Sequence, residues 1–107
     1  MKCQLKFTDT AKTDLRSIAF YIFEQSKEKN IATRFVNELR DKCKILETAP
    51  ECGAVPKDRV LVSSGYRFLV HGNYLIFYYY EKKGNTVYIT AIFNAKRDYM
   101  RVMKKFI

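Results

Sequence analysis

Histidine and cysteine, the side chains most often used in catalysis and metal binding, are few in this chain. His71 is the only histidine, and no other side-chain type titrates near neutral pH. It stands in a predicted turn, where it is either a solvated polar residue or a general base. The cysteines, Cys3, Cys43 and Cys52, are odd in number and lack the CxxC spacing of a metal or redox site. We therefore expect free thiols that serve packing, and neither a metal nor another cofactor.

Positive charge is the strongest global signal in the sequence. The 107 residues include 20 Lys and Arg against 11 Asp and Glu, which gives a net charge of +9. An excess of this size favours an acidic partner, which could be nucleic acid, a ribonucleoprotein or an acidic protein. The alternative is a solvated basic surface that only aids solubility.

Length and hydrophobicity limit the class of protein. A chain of 107 residues fits one domain, which we assign to residues 1–107. No run of 18 apolar residues is present, so we expect no membrane-spanning segment and no membrane partner. The first residues alternate polar and apolar and lack the apolar stretch of a signal peptide, which predicts a cytoplasmic protein.

The N-terminal half of the sequence predicts one strand and two helices. Cys3, Leu5 and Phe7 alternate with polar residues, as in a strand with one buried face. From residue 10 to about 27, and again from 32 to 46, apolar residues recur at helical spacing. Only a short break separates the two stripes, which indicates an antiparallel helical hairpin.

The C-terminal half predicts a loop followed by strands. Pro50, Gly53 and Pro56 indicate an irregular loop over residues 49–58. Four β-prone runs follow, at residues 60–62, 66–70, 74–80 and 86–93. The tail, residues 96–107, has apolar residues at helical spacing and predicts a short helix.

The run at residues 74–80 is apolar on both faces, which places it in the centre of a sheet. Its tyrosines belong either to the core or to a platform on which bases stack. In an alternating strand only one face can reach a ligand, and we expect Tyr78 or Tyr80 to lie on that face.

These elements predict an α+β fold with the order β-α-α-β-β-β and a short C-terminal helix. The strands form a small twisted antiparallel sheet, and the N-terminal helical hairpin covers one of its faces. The other face stays open, and open concave faces are where sites form.

Five segments, taken in order and spacing, resemble the RelE/ParE superfamily of toxins from bacterial type II toxin–antitoxin systems. The resemblance covers nearly the full length, and its fold agrees with the one predicted above. The matching segments are Ala11, Asp14-Leu15, Ile18 and Tyr21-Ile22 in the first helix, Leu46 with Pro50 and Gly53, Ser63-Ser64-Gly65-Tyr66-Arg67, Asn73-Tyr74-Leu75-Ile76-Phe77-Tyr78, and Asn94-Ala95-Lys96-Arg97-Asp98-Tyr99-Met100. The resemblance implies a growth-arresting toxin that is made together with an acidic antitoxin.

In the RelE branch, the resemblance implies an endoribonuclease that cuts mRNA on the ribosome. Arg67 and Arg97 match two arginines of that branch, and a planar guanidinium can clamp a phosphate bidentately. The catalytic tyrosine of RelE falls on Met103, and Tyr99 lies one helical turn earlier as a possible substitute. In the alternative role, Arg67 pairs with a carboxylate such as Glu51 and only braces the sheet.

The remaining RelE residues are not matched. Its two catalytic lysines fall on Asp58 and Val60, while Lys57 and Arg59 each stand one place away and could restore a cation. Asp58 is also a second carboxylate, besides Glu51, with which Arg67 could pair.

In the ParE branch, the resemblance implies a protein that inhibits DNA gyrase and has no catalytic residues of its own. The tail resembles ParE tails, which favours this branch slightly over the ribonuclease. A further alternative is a non-toxic nucleic-acid-binding module. The cations that we expect to contact the target or nucleic acid are Lys57, Arg59, Lys96, Arg101, Lys104 and Lys105.

Overall fold

The computed structural model describes residues 2–57 and 59–96. The predicted tail helix lies almost wholly outside these residues. The elements are, in chain order, β1 (Gln4–Phe7), α1 (Asp9–Ser26), α2 (Lys29–Cys43) continued by a 3-10 turn (Lys44–Glu47), α3 (Arg59–Ser63), β2 (Tyr66–His71), β3 (Tyr74–Glu81) and β4 (Thr86–Asn94). The predicted α+β class and the order of the main elements are confirmed.

The four strands form one sheet with the order β1-β4-β3-β2. Strand β3 pairs with β2 and with β4, both antiparallel, so its predicted central position is confirmed. Strand β1 pairs with β4 in parallel. The sheet is therefore mixed, and the prediction of a purely antiparallel sheet was wrong. The helical hairpin carries the chain away from β1, and β1 joins the last strand rather than a sequence neighbour.

Helix α1 begins at a capped turn and covers one face of the sheet. The Thr8 hydroxyl accepts a hydrogen bond from the Ala11 backbone N–H at 3.2 Å, which satisfies a donor that the helix leaves open. Lys27, in the left-handed conformation with φ 58°, ends the helix, and α2 begins two residues later. The inward stripes of the two helices pack on the sheet in one core, whose buried members include Ala11, Leu15, Ile18, Leu39, Cys43, Leu46, Ile76, Tyr78, Val87 and Ile89.

Residues 60–62 form part of α3, so the prediction of a β-prone run there was wrong. The Ser64 backbone N–H donates to the Val60 carbonyl at 3.0 Å, which closes a helical turn. Only Leu61 is buried in this turn, and it packs with Phe77 and Phe93 on the sheet face opposite the hairpin. That face, predicted to be open, is thus partly covered by α3.

Over the described residues, no helix combines the length and the apolarity that crossing a bilayer requires.

Candidate functional site

Arg67, the arginine of β2, lies at the edge of the sheet on the face that the hairpin covers. Its Nη1 donates to the Gly53 carbonyl at 3.1 Å, and its Nη2 lies 3.9 Å from a carboxylate oxygen of Glu51. The side chain keeps 31% of its surface exposed. The structure thus contains the contact with Glu51 that the alternative role of Arg67 requires, and this guanidinium already has internal partners.

The loop before α3 is fastened to the sheet at Gly53. The buried Tyr78 hydroxyl accepts a hydrogen bond from the Gly53 backbone N–H at 2.9 Å. A β-carbon at Gly53 would lie 2.5 Å from that hydroxyl oxygen and 2.9 Å from the Phe68 carbonyl oxygen, so the approach requires glycine. Ala54 also exchanges two backbone hydrogen bonds with Phe68. The path of the chain toward α3 is therefore fixed by the sheet.

Two of the predicted cations follow this loop, one just before α3 and one at its first residue. Lys57 and Arg59 are both exposed, and Asp58 between them lies outside the described residues. Val60, where the resemblance to RelE places one of the two lysine positions, is 48% exposed. Lys96, also exposed, follows β4, and its backbone N–H donates to the Asn94 side chain at 3.0 Å.

Five of the predicted site residues, Arg97, Tyr99, Arg101, Lys104 and Lys105, lie outside the described residues. Their proposed roles stay predictions. Of the two candidate phosphate-clamping arginines, the described part of the chain therefore positions only Arg67.

The tyrosines of β3 do not face the way the sequence analysis predicted. Tyr78 is fully buried under the hairpin, and burial raises the pKa of its hydroxyl. Tyr80 packs on the same core and donates to the Asn85 side chain at 2.7 Å. The tyrosine on the opposite face is Tyr79, whose ring lies beside those of Tyr66 and Tyr88 with centroid distances of 5.7 and 5.2 Å.

The signal for this aromatic row was present in the sequence but spread over three strands. Tyr66, Tyr79 and Tyr88 are far apart along the chain, and only the strand register brings them side by side. Periodicity within one strand cannot give that register.

His71 lies at the end of β2 on the hairpin side of the sheet. Its Nε2 is 3.8 Å from a Glu38 carboxylate oxygen, and its ring is 5.8 Å from that of Phe35. These partners belong to α2. The histidine thus joins the sheet to the hairpin, rather than standing in a solvated turn.

The three cysteines are free thiols, as predicted; Cys52 is exposed and the others are buried. Burial raises the pKa of the Cys43 thiol to about 12, against a small opposing effect of Arg40. Within residues 2–57 and 59–96, no three side chains of His, Cys, Asp or Glu form a group that could hold a metal ion.

The fold is that of the RelE/ParE superfamily of toxins. Residues 5–99 match the family model for the ParE toxin of type II toxin–antitoxin systems, parDE. The chain therefore belongs to the ParE toxin family.

Solved structures are similar in fold. A chain of the chromosomal ParDE toxin–antitoxin system from P. aeruginosa is 21% identical, with a TM-score of 0.70 over 87% of this chain and 96% of that one. The RelBE2 toxin–antitoxin complex from Mycobacterium tuberculosis is 21% identical, with a TM-score of 0.59 over 88% and 99%. A mutant of E. coli RelE in the free state is 13% identical, with a TM-score of 0.62 over 100% of both chains. A search of curated proteins found no significant match.

Proposed function

We propose that this toxin arrests growth in the cytoplasm by binding and inhibiting DNA gyrase, without catalytic chemistry of its own. The observation that carries the proposal is that the Arg67 guanidinium is already bound by groups of the protein itself. The guanidinium is held by the Gly53 carbonyl and lies beside the Glu51 carboxylate, so its charge is partly balanced inside the molecule. The match of residues 5–99 to the ParE family gives independent support.

RNA cleavage by attack of a 2′-hydroxyl needs a base, an acid and cations for the charge that develops on the phosphate. At the positions of the two RelE lysines this chain has Asp58 and Val60, and neither side chain is a cation. An exposed valine beside a scissile phosphate supplies no charge. These substitutions favour a contact surface over a ribonuclease site.

A ribosome-dependent endoribonuclease is the second candidate. Lys57 and Arg59 favour it, because both are exposed and each stands one residue from a RelE lysine position. Contact with mRNA on the ribosome would then depend on this pair of cations and on Arg67.

One experiment with two readouts separates the candidates. Purified toxin is added to DNA gyrase in a supercoiling assay and, in parallel, to a translating extract with a defined mRNA. We expect inhibited supercoiling and intact mRNA. Cleaved mRNA with unaffected supercoiling would refute the gyrase proposal and favour the ribonuclease. If induction in a host cell gives no growth defect, the protein is a non-toxic nucleic-acid-binding module instead.

We also propose that the chain binds a cognate acidic antitoxin. The ParDE system and the RelBE2 complex are named as toxin–antitoxin pairs, and the net charge of +9 suits an acidic segment. Near the tip of the hairpin, a hollow of about 470 Å³ combines apolar side chains with the Lys29 cation; its lining is Ala19, Phe20, Phe23, Lys29, Ala32 and Thr33. Phe20 is 66% exposed there.

Such a surface suits an amphipathic segment that orders when it binds. Electrostatic attraction should make the association rate with the antitoxin fall as ionic strength rises. Stopped-flow mixing at low and high salt measures this dependence. An association rate that does not change with salt would contradict electrostatic capture.

A further inference from the structure

A row of four side chains crosses the whole sheet on the face opposite the hairpin. Lys6 of β1 is in register with Tyr88 of β4, Tyr88 with Tyr79 of β3, and Tyr79 with Tyr66 of β2. The strand neighbours of Lys6, Leu5 and Phe7, pack on the hairpin core, so Lys6 belongs to the opposite face. We call these four residues the tyrosine row.

The rings of the tyrosine row have a defined arrangement. Tyr79 and Tyr88 are stacked at an interplanar angle of 24°, whereas Tyr66 meets Tyr79 at 72°. The Thr90 side chain of β4 is a hydrogen-bond partner of the Tyr66 hydroxyl. The three rings therefore lie next to one another as one continuous set.

The row differs from the core next to it in being amphipathic. Phe77 and Phe93, which lie farther along the same face of β3 and β4, are 2% and 3% exposed, whereas all three tyrosines keep part of their surface exposed. A tyrosine offers an apolar ring and a hydroxyl that can donate or accept a hydrogen bond. Such a surface is suited to flat, polar-edged groups.

The positive charge of the chain and of the row indicates a negatively charged partner. The chain carries a net charge of +9, and the row ends in the exposed cation Lys6. Glu81, two residues after Tyr79 in β3, accepts a hydrogen bond from the Gly84 backbone N–H at 2.8 Å and is thereby held in its own turn. The four strands span three gaps of about 4.8 Å, or roughly 14 Å, which is the length of about four stacked nucleotides at 3.4 Å each.

We propose that the tyrosine row is a binding site for single-stranded nucleic acid, in which bases stack on the tyrosine rings and Lys6 contacts a phosphate. Single strands fit because their bases are free to turn outward, whereas the faces of paired bases are hidden within a duplex. The site needs no sequence preference, since every base offers a face for stacking. This proposal does not depend on the proposed inhibition of gyrase.

Fluorescence anisotropy with a labelled 15-nucleotide oligothymidylate tests the proposal on the full chain. Tyr79→Leu and Tyr88→Leu should each weaken binding about five- to hundredfold, because stacking on the ring is lost. Tyr79→Phe keeps the ring and should bind within about twofold of wild type. Tyr21→Leu, which removes a partly exposed tyrosine from α1, is the matched control and should bind as wild type.

An abasic 15-mer with the same number of phosphates separates stacking from simple charge attraction. It should bind at least about fivefold more weakly than oligothymidylate. Equal binding of the two, or unchanged binding by both leucine variants in folded form, would overturn the proposal. Equally tight binding of polyglutamate would point to an acidic protein partner and would overturn it as well.

The exposed lysine provides a test that does not disturb the aromatic packing. Lys6→Gln should reduce the slope of log K against log salt by about one, as expected for the loss of one phosphate contact. Lys12→Gln, on the outer surface of α1, should leave the slope unchanged. An unchanged slope for Lys6→Gln, with the protein folded, would remove Lys6 from the site and contradict the proposal.

Discussion

The Asp14 carboxylate of α1 accepts a hydrogen bond of 2.9 Å from the Ile92 backbone N–H of β4. Strand β1 ends opposite Ile89, and among residues 2–57 and 59–96 no other strand pairs with β4 beyond that point on the same side. The carboxylate supplies the acceptor that β1 no longer provides. The aspartate of the first-helix motif is thus a structural residue that joins the hairpin to the sheet.

Asp14→Ala should lower the free energy of unfolding by about 1–3 kcal/mol, because it leaves a backbone donor without its charged acceptor. Asp14→Asn keeps an oxygen acceptor in place and should lose less than half of that amount. Urea unfolding followed by circular dichroism measures both. Equal losses in the two variants would show that the hydrogen bond to Ile92 is not the source of the effect.

Gly53→Ala should destabilise the protein by about 1–3 kcal/mol through overpacking. The new methyl group would lie 2.5 Å from the hydroxyl oxygen and 2.7 Å from a ring carbon of the buried Tyr78, so the ring or the loop has to shift. Tyr78→Phe, the matched variant, removes the acceptor of the Gly53 N–H and should cost about 1–3 kcal/mol for a different reason. Thermal unfolding tests both, and a fully stable Gly53→Ala would contradict the close approach.

The stability of the protein should fall in alkali because of Cys43. Its thiol has a pKa raised to about 12 in the folded protein, against 9.0 for an ordinary thiol, and burial is the main cause. The unfolded chain therefore loses this proton first, and the contribution to stability that is present below pH 9 is lost as the pH rises toward 12.

Comparison with Cys43→Ala isolates this effect, since other groups such as the tyrosine hydroxyls titrate in both proteins. The difference in unfolding free energy between wild type and variant should shrink above pH 9. Urea titrations at a series of pH values measure it. A difference that stays constant from pH 8 to 11 would mean that the thiol is not shielded as the structure indicates.

The gyrase proposal predicts different sensitivities for Arg67 and for the tail. Arg67→Gln removes a charge but should leave inhibition of supercoiling largely unchanged, whereas loss of a phosphate clamp in a ribonuclease would cost about 10²–10³ in rate. Deleting residues 101–107, which lie outside the described residues, should abolish inhibition by removing predicted contact cations. The supercoiling assay compares the two variants with wild type.

The comparison of Arg67→Gln with the tail deletion requires that both variants are folded. Both variants should retain the far-ultraviolet circular dichroism of wild type and bind the antitoxin. A folded truncation that inhibits gyrase fully would refute a contact through the tail. A folded Arg67→Gln that loses all toxicity, together with mRNA cleavage by wild type, would identify the ribonuclease instead.

Much of the fold could be predicted because periodicity fixes local structure. The alternation of Cys3, Leu5 and Phe7 and the stripe of α1 each bury one face, so the burial pattern is written directly in the sequence. The segment at residues 60–62 could not be assigned in this way. Its β-branched residues flank Leu61 symmetrically, and a single helical turn that buries one residue has the same pattern as a short strand.

The candidate site was harder to predict because it depends on pairing between distant strands. The run around Tyr78 is apolar on both faces, so its sequence alone does not say which tyrosines face the hairpin. The contact of Arg67 with Glu51 was foreseen only as an alternative to a phosphate clamp, because opposite charges alone do not decide which carboxylate lies within reach. Its hydrogen bond to the Gly53 carbonyl depends on the path of the loop, which no periodicity describes.

The parallel pairing of β1 with β4 also determines when the fold can form. Gln4 to Phe7 pair with Thr86 to Ile89, so the first strand has to wait for nearly the whole chain before its partner exists. Contacts of such long sequence separation are slow to form and are made late in folding. During synthesis, the hairpin can assemble early, but the sheet is incomplete until β4 has been translated. A nascent chain that stops before β4 lacks the strand with which β1 pairs, so its sheet is incomplete.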